Sequence, residues 1–249
     1  MLREGLMESG LGRPLDHDPD FRWRGNTVTR IENLSDIAFA LALTMIISGS
    51  IVPSTFAELR EFLFFFVPTA AAFAIMLQIW TAHYTFFRRF GVADKRIIVL
   101  NALLIFVILY LAYPLRFTFH SLYVWVIGLA TGDYTRGTAM GMTFETGVWT
   151  ISVFVVAQAA AFILLAMMYG HALRKRDWLA LNPAEEARTR TVRAGLWWAA
   201  GVSLLVVPLA MITPLGPMAA FLLFLQSPGY WLAGQHYFKG VETASHSGV

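Results

Sequence analysis

Of the 249 residues, 57% are hydrophobic and only 14% charged, with a mean hydropathy of +0.59. A soluble domain carries about 25% charged residues, so a water-facing globular protein is excluded and most of the chain belongs in lipid. The absence of cysteine rules out disulfides, iron–sulfur clusters and thiolate-bound zinc, and the net charge of +3 is accounted for by membrane topology rather than by nucleic acid.

In chain order, residues 1–29 contain Asp16, Asp18 and Asp20 without an apolar run. They are not a secretory signal, and their Gly, Pro and charge predict a flexible tail. A helix crosses the hydrocarbon core in about 20 apolar residues. Such stretches lie at 34–52, 62–83, 97–119, 146–170, 195–213 and 215–233. The fold class is therefore all-α: a polytopic membrane protein with six transmembrane helices. It divides into a tail over 1–29, a six-helix unit over 30–238 and a short tail over 239–249.

Pro53 ends the first span, and Pro214 with Pro217 mark a tight, uncharged connection between the last two. Pro68, Pro114 and Pro208 fall inside or near span ends, where kinks are tolerated. The outer loop from Gly128 to Thr143 reads as irregular, and the linker from Arg174 to Arg193 as a short amphipathic segment. No internal repeat joins the two halves.

Counting Lys and Arg on alternate sides of six spans sets the orientation. One side holds Arg3, Arg13, Arg22, Arg24, Arg30, Arg88, Arg89, Lys95, Arg96, Arg174, Lys175, Arg176, Arg188, Arg190, Arg193 and Lys239; the other holds Arg60, Arg116 and Arg136. Sixteen against three follows the positive-inside rule and places both termini in the cytoplasm. Trp178, Trp197, Trp198, Tyr230 and Trp231 suit the aromatic belt.

Ionisable groups inside a span cost about 2.5–3.5 kcal/mol near its centre and each requires a reason. Arg30 and Asn33 share a face of the first span by the i, i+3 rule. Asp36 needs a donor, and Arg30 is the nearest in sequence. Two readings stand side by side. In one, Ser35 and Asp36 cap the first helix while Arg30 anchors it at the headgroups. In the other, these residues form a structural hydrogen-bond cluster with Trp80 and His83, which end the second span on the same side of the membrane. Asn101, Gln78 and Gln158 are isolated polar groups suited to interhelical hydrogen bonds. The chain has no GxSxG, HExxH or phosphate-binding loop, and its six histidines lack metal-ligand spacing. No enzyme is expected, and no metal site.

The run from Arg30 to Thr44 resembles the first-helix signature of the transmembrane protein 175 family, Arg, three variable residues, then Phe-Ser-Asp. Arg30, Ser35 and Asp36 match it, and Leu34 stands where Phe is usual. Trp80 and His83 resemble the family's Trp-x-x-His element, and Asn101, Leu103, Leu104, Tyr113 and Pro114 its third helix. The resemblance implies a potassium-permeable, leak-type cation channel of the bacterial plasma membrane, assembled as a homotetramer around the first helix. It implies no carbonyl filter, an apolar constriction instead, and no cofactor beyond permeant K+. Helical steps from Asp36 bring Leu41, Thr44, Met45 and Ser48 onto one broad face. By similarity Leu41 stands at the constriction, with Thr44 one turn further out. Ala38, Ala40 and Ala42 let neighbouring helices approach closely. Packing of Leu41 and Met45 against other helices is the competing reading of that stripe. The alternative function is a secondary transporter using Asp36 and His83 as a proton or cation relay, which calls for inverted repeats and broken midplane helices.

Overall fold

The computed structural model describes residues 21–25, 27–48, 53–212 and 216–226, and every regular element among them is helical. The chain is an all-α polytopic membrane protein. Its helices are α1 (Arg30–Ser48), α2 (Phe56–Phe64), α3 (Phe66–Phe90), α4 (Lys95–Thr131), α5 (Thr135–Ala139), α6 (Phe144–Arg174) and α7 (Pro183–Ile212), followed by a 3₁₀ segment, Gly216–Leu225. Five of them, α1, α3, α4, α6 and α7, are long and apolar enough to span a bilayer. The sixth expected span, 215–233, is described only to residue 226, and the C-terminal tail lies outside the described residues, as do residues 1–20.

Local chemistry sets the boundaries. Pro68 has no N–H, and its ring crowds the carbonyl four residues back. That residue is Phe64, where α2 stops, and α3 resumes after Phe65. The expected second span therefore splits into the short helix α2 and α3, which runs on to Phe90. Gly91, at φ 60, closes α3 in the left-handed conformation that glycine adopts without strain. Three residues later the Asp94 carboxylate accepts from the N–H groups of Arg96 and Ile97 and starts α4. At 37 residues α4 is about 55 Å long, against about 30 Å of hydrocarbon. It reaches well beyond the expected end at residue 119. The loop expected between Gly128 and Thr143 is partly ordered by the end of α4 and by α5. The linker expected from Arg174 to Arg193 is a turn followed by the first turns of α7.

The core sits around α6, which packs against α7 and α4, while α1 and α3 lie on the periphery against α4. Within α1 the buried positions are Glu32, Ser35, Ala38, Phe39, Ala42 and Ile46. Ala38 and Ala42 face the bundle as small residues should, whereas Ala40 is exposed.

Within residues 21–29, assigned to the tail by composition, Phe21 to Gly25 dock on the bundle, whereas Thr27 and Val28 are exposed. Phe21 is buried against Phe90, and the Arg24 guanidinium donates to Glu185 and to the carbonyls of Leu179 and Ala180. The N–H groups of Arg24 and Gly25 both donate to the Arg88 carbonyl, 3.1 Å each. A Cβ on Gly25 would lie 2.2 Å from the Phe87 oxygen, so only glycine allows this approach.

Candidate pore-lining helix and its hydrogen-bond support

The start of α1 is set by a capping box. Thr29 Oγ1 accepts from the Glu32 N–H at 3.3 Å, and the Glu32 carboxylate accepts from the Thr29 N–H at 2.6 Å. Ser35 and Asp36 therefore do not cap the helix; they sit in its second turn. The Thr-x-x-Glu pattern of residues 29–32 was the available signal for this start. Glu32 also accepts from Arg88 at 2.5 Å, and both side chains of this ion pair are largely buried. Arg88 donates in turn to the Gly25 carbonyl.

One helical turn deeper, three helices meet at Asn101 of α4. His83 Nε2 of α3 donates to Asn101 Oδ1 at 2.7 Å. Asn101 Nδ2 donates to Ser35 Oγ of α1 at 2.8 Å, and Ser35 Oγ donates to the Ile31 carbonyl. Ser35, His83 and Asn101 are at most 1% exposed. Because Oδ1 can only accept, the His83 proton resides on Nε2. Its Nδ1 is buried without a partner among the described residues, and His83 lines a cavity of about 230 Å³ together with Glu32, Asp36, Tyr84 and Arg88.

Of the expected cluster of Arg30, Ser35, Asp36, Trp80 and His83, the structure joins Ser35 to His83 through Asn101 and joins Asp36 to Trp80. The Trp80 indole N–H donates to Asp36 Oδ1 at 3.1 Å. Arg30 is exposed and makes no ion pair among the described residues. The donor expected of Arg30 is supplied by Trp80, because Asp36 faces α3 rather than the helix start. Asp36 and His83 are not hydrogen-bonded to one another, so the two groups of the expected relay stand on separate contacts. Asn101, read from sequence as an isolated polar group, is the hub. Its type and its position early in the third span were visible; its partners, 18 and 66 residues away, were not.

The opposite side of α1 is bare. Leu34, Ile37, Leu41 and Ile47 are 57, 66, 51 and 43% exposed. Asn33, Ala40, Thr44 and Ser48 are exposed beside them. These positions follow steps of three and four, which makes one continuous stripe. Of the expected set, Leu41, Thr44 and Ser48 lie on this stripe, whereas Met45 is half-buried and packs against the core. Thr44 Oγ1 donates to the Ala40 carbonyl at 2.8 Å, which leaves its lone pairs directed outward. Leu34, at the position of the family Phe, belongs to the exposed stripe and not to the cluster.

The basic residues gather at the end of the bundle where α1 begins. There, Asp94 accepts from His171 and Lys175 at 2.6 Å each, tying the α3–α4 corner to the end of α6. Partial burial alone would raise the Asp94 carboxyl. The Lys175 ammonium, His171 and the Ile97 N–H outweigh that effect and hold it well below the usual carboxylate range. At the far end Arg136 pairs with Glu61 and lies over the Phe64 ring. The described residues contain no group of three potential metal ligands.

Residues 30–111 match the family described as endosomal/lysosomal potassium channel TMEM175. A potassium channel from Marivirga tractuosa is 32% identical over 220 residues, which cover 85% of this chain and 88% of that protein. The crystal structure of a variant of the potassium channel MtTMEM175, solved with a nanobody fusion, superposes with a TM-score of 0.75 at 31% identity, covering 90% of this chain and 99% of that one.

Proposed function

This chain belongs to the TMEM175 family of potassium channels, which are not enzymes, and on that premise we propose that it is a potassium-permeable, leak-type cation channel whose pore is lined by α1. The observation that carries this reading is the bare stripe of α1. A helix wedged into the bundle by Ser35, Phe39, Ala42 and Ile46 leaves Leu41, Thr44 and Ser48 uncovered by its own subunit. A homotetramer places four such stripes around one axis. The four Leu41 side chains then form the apolar constriction and gate by dewetting, and the four Thr44 oxygens one turn outward meet partly dehydrated potassium. Potassium is the cargo, and no resident cofactor is needed. The Asn101–Ser35–His83 contacts and the Trp80–Asp36 bond hold α1 at a fixed rotation, so they support the pore without selecting the ion.

The protein resides in the bacterial plasma membrane with both termini in the cytoplasm. The gathering of basic residues at one end supports that orientation through the positive-inside rule. The channel-forming unit is assigned to residues 30–238, with residues 21–25 docked on it through Phe21 and Arg24.

Potassium flux into proteoliposomes, measured under matched potassium and sodium gradients, tests the proposal. Wild type passes potassium passively and without saturation. Leu41→Ala widens the constriction, raises total flux several-fold and lowers the preference for potassium. Conductance and preference unchanged in Leu41→Ala would remove the constriction from α1. Saturable flux that requires a coupled gradient would favour transport through Asp36 and His83 instead.

A further inference from the structure

None of residues 146–170 of α6 and none of residues 194–212 of α7 is Asp, Glu, Lys or Arg. The first basic side chains beyond these stretches are Arg174 and Arg193. From Arg193 to Ile212 α7 rises about 29 Å, close to the hydrocarbon thickness of about 30 Å. Both guanidiniums therefore stand at headgroup level, at the basic end of the bundle. They also converge on adjacent residues of α6. Arg174 reaches back one turn, where its Nη2 donates to His171 Nδ1 at 3.4 Å. Arg193 crosses from α7 to Gly170: a Cβ there would lie 3.1 Å from Arg193 Nε and 3.4 Å from its Cζ. The missing side chain of Gly170 lets this guanidinium lie against α6. Both arginines are exposed, and neither has a carboxylate within ion-pair distance among the described residues. By contrast, Lys175 pairs with Asp94, and Arg176 and Arg190 pair with Glu186. Deeper in the membrane the same seam is apolar and open. Met167 and Trp197, one turn below Gly170 and Arg193, are 36 and 44% exposed. Gly201, a turn below Trp197, is exposed, and a Cβ there would meet nothing within 4 Å.

From this arrangement we propose that the seam between α6 and α7 binds an anionic glycerophospholipid of the adjoining leaflet. Its phosphate is held by Arg174 and Arg193, and an acyl chain lies over Met167, Trp197 and Gly201. Two like charges set side by side repel one another unless an anion joins them, and no carboxylate of this chain does so among the described residues. The planar guanidinium fork matches phosphate oxygens two at a time. Basic sites between membrane helices at this depth suit such headgroups. A free anion would use the two cations but not the apolar track beneath them, whereas a lipid uses both. A choline headgroup would bring a further cation to the same place, so a lipid of net negative charge is selected.

The test uses native mass spectrometry of the full chain, released from detergent micelles and titrated with phosphatidylglycerol or with phosphatidylcholine of the same acyl chains. Phosphatidylglycerol should bind saturably and at least about tenfold more tightly than phosphatidylcholine. Arg174→Gln with Arg193→Gln should abolish that preference. Arg176→Gln with Arg190→Gln removes the same charge from the same end of the bundle and should leave the preference intact. Equal binding of the two lipids to wild type would overturn the site, as would a preference that survives the first double variant or is lost equally in the second. Displacement of phosphatidylglycerol by inorganic phosphate would assign the two arginines to a free anion and overturn the lipid. Should the first double variant fail to fold, Arg193→Gln alone replaces it. It should weaken phosphatidylglycerol several-fold and leave phosphatidylcholine unchanged; no change in either would count against the proposal. The readout does not depend on conduction, so it stands or falls separately from the channel reading.

Discussion

Asn101→Ala removes the atom group at which α1, α3 and α4 meet. Two interhelical hydrogen bonds disappear, to Ser35 at 2.8 Å and to His83 at 2.7 Å. Interhelical hydrogen bonds in membrane proteins average about 0.6 kcal/mol and reach about 1.7. The loss here lies above that mean, because the His83 Nε2–H is stranded in a site 1% exposed, and a buried donor without a partner costs about 1–3 kcal/mol. The sum is about 2–4 kcal/mol. Unfolding in mixed micelles titrated with dodecyl sulfate reads this out for wild type, Asn101→Ala, Ser35→Ala and the double variant. A coupling of about 0.6–1.7 kcal/mol between positions 35 and 101 is expected. Ser35 still donates to the Ile31 carbonyl in Asn101→Ala, so the cycle isolates the bond between the two helices. A coupling below about 0.3 kcal/mol, together with an unchanged stability in Asn101→Ala, would refute the assignment of Asn101 as the hub.

Two further predictions concern the charged end of the bundle. Glu32→Ala leaves Arg88 buried beside the α1 start without its carboxylate, and unpairing a buried ion pair costs about 3–5 kcal/mol; Glu32→Ala with Arg88→Ala should cost less than Glu32→Ala alone in the same unfolding assay, and a larger cost in the double variant would show that the pair is not the source. The Asp94 carboxyl is held below its unfolded value, so its contribution is fully present above about pH 4 and is lost as pH falls below that. Thermal unfolding followed from neutral to acid pH should therefore steepen below about pH 4 in wild type and flatten in Asp94→Asn, which keeps a capping side chain for α4 but removes the charge; equal slopes would exclude Asp94 as the titrating group.

The exposed stripe and the capping box explain how much of the site could be read from residues alone. Thr29 and Glu32 stood three residues apart in the sequence and needed only the right template. Leu41, Thr44 and Ser48 shared a face by helical geometry, and the structure leaves them on one bare face. Met45 failed the same reading because a stripe three residues wide says nothing about where its edge meets a neighbour. Arg30 failed as the donor to Asp36 because proximity in sequence does not fix the direction in which a carboxylate points.

The sequence by itself determined the all-helical class, five of the spans and the segregation of basic residues to one end. Hydropathy and charge act over windows of about 20 residues and need no partner to be effective. Tertiary structure alone decided which polar atoms meet. The Asn101 hub joins residues 66 positions apart, and the Arg24 clamp spans 161. Such pairings depend on helix rotation and depth, which are set by side-chain packing across the whole bundle rather than by any stretch of the chain.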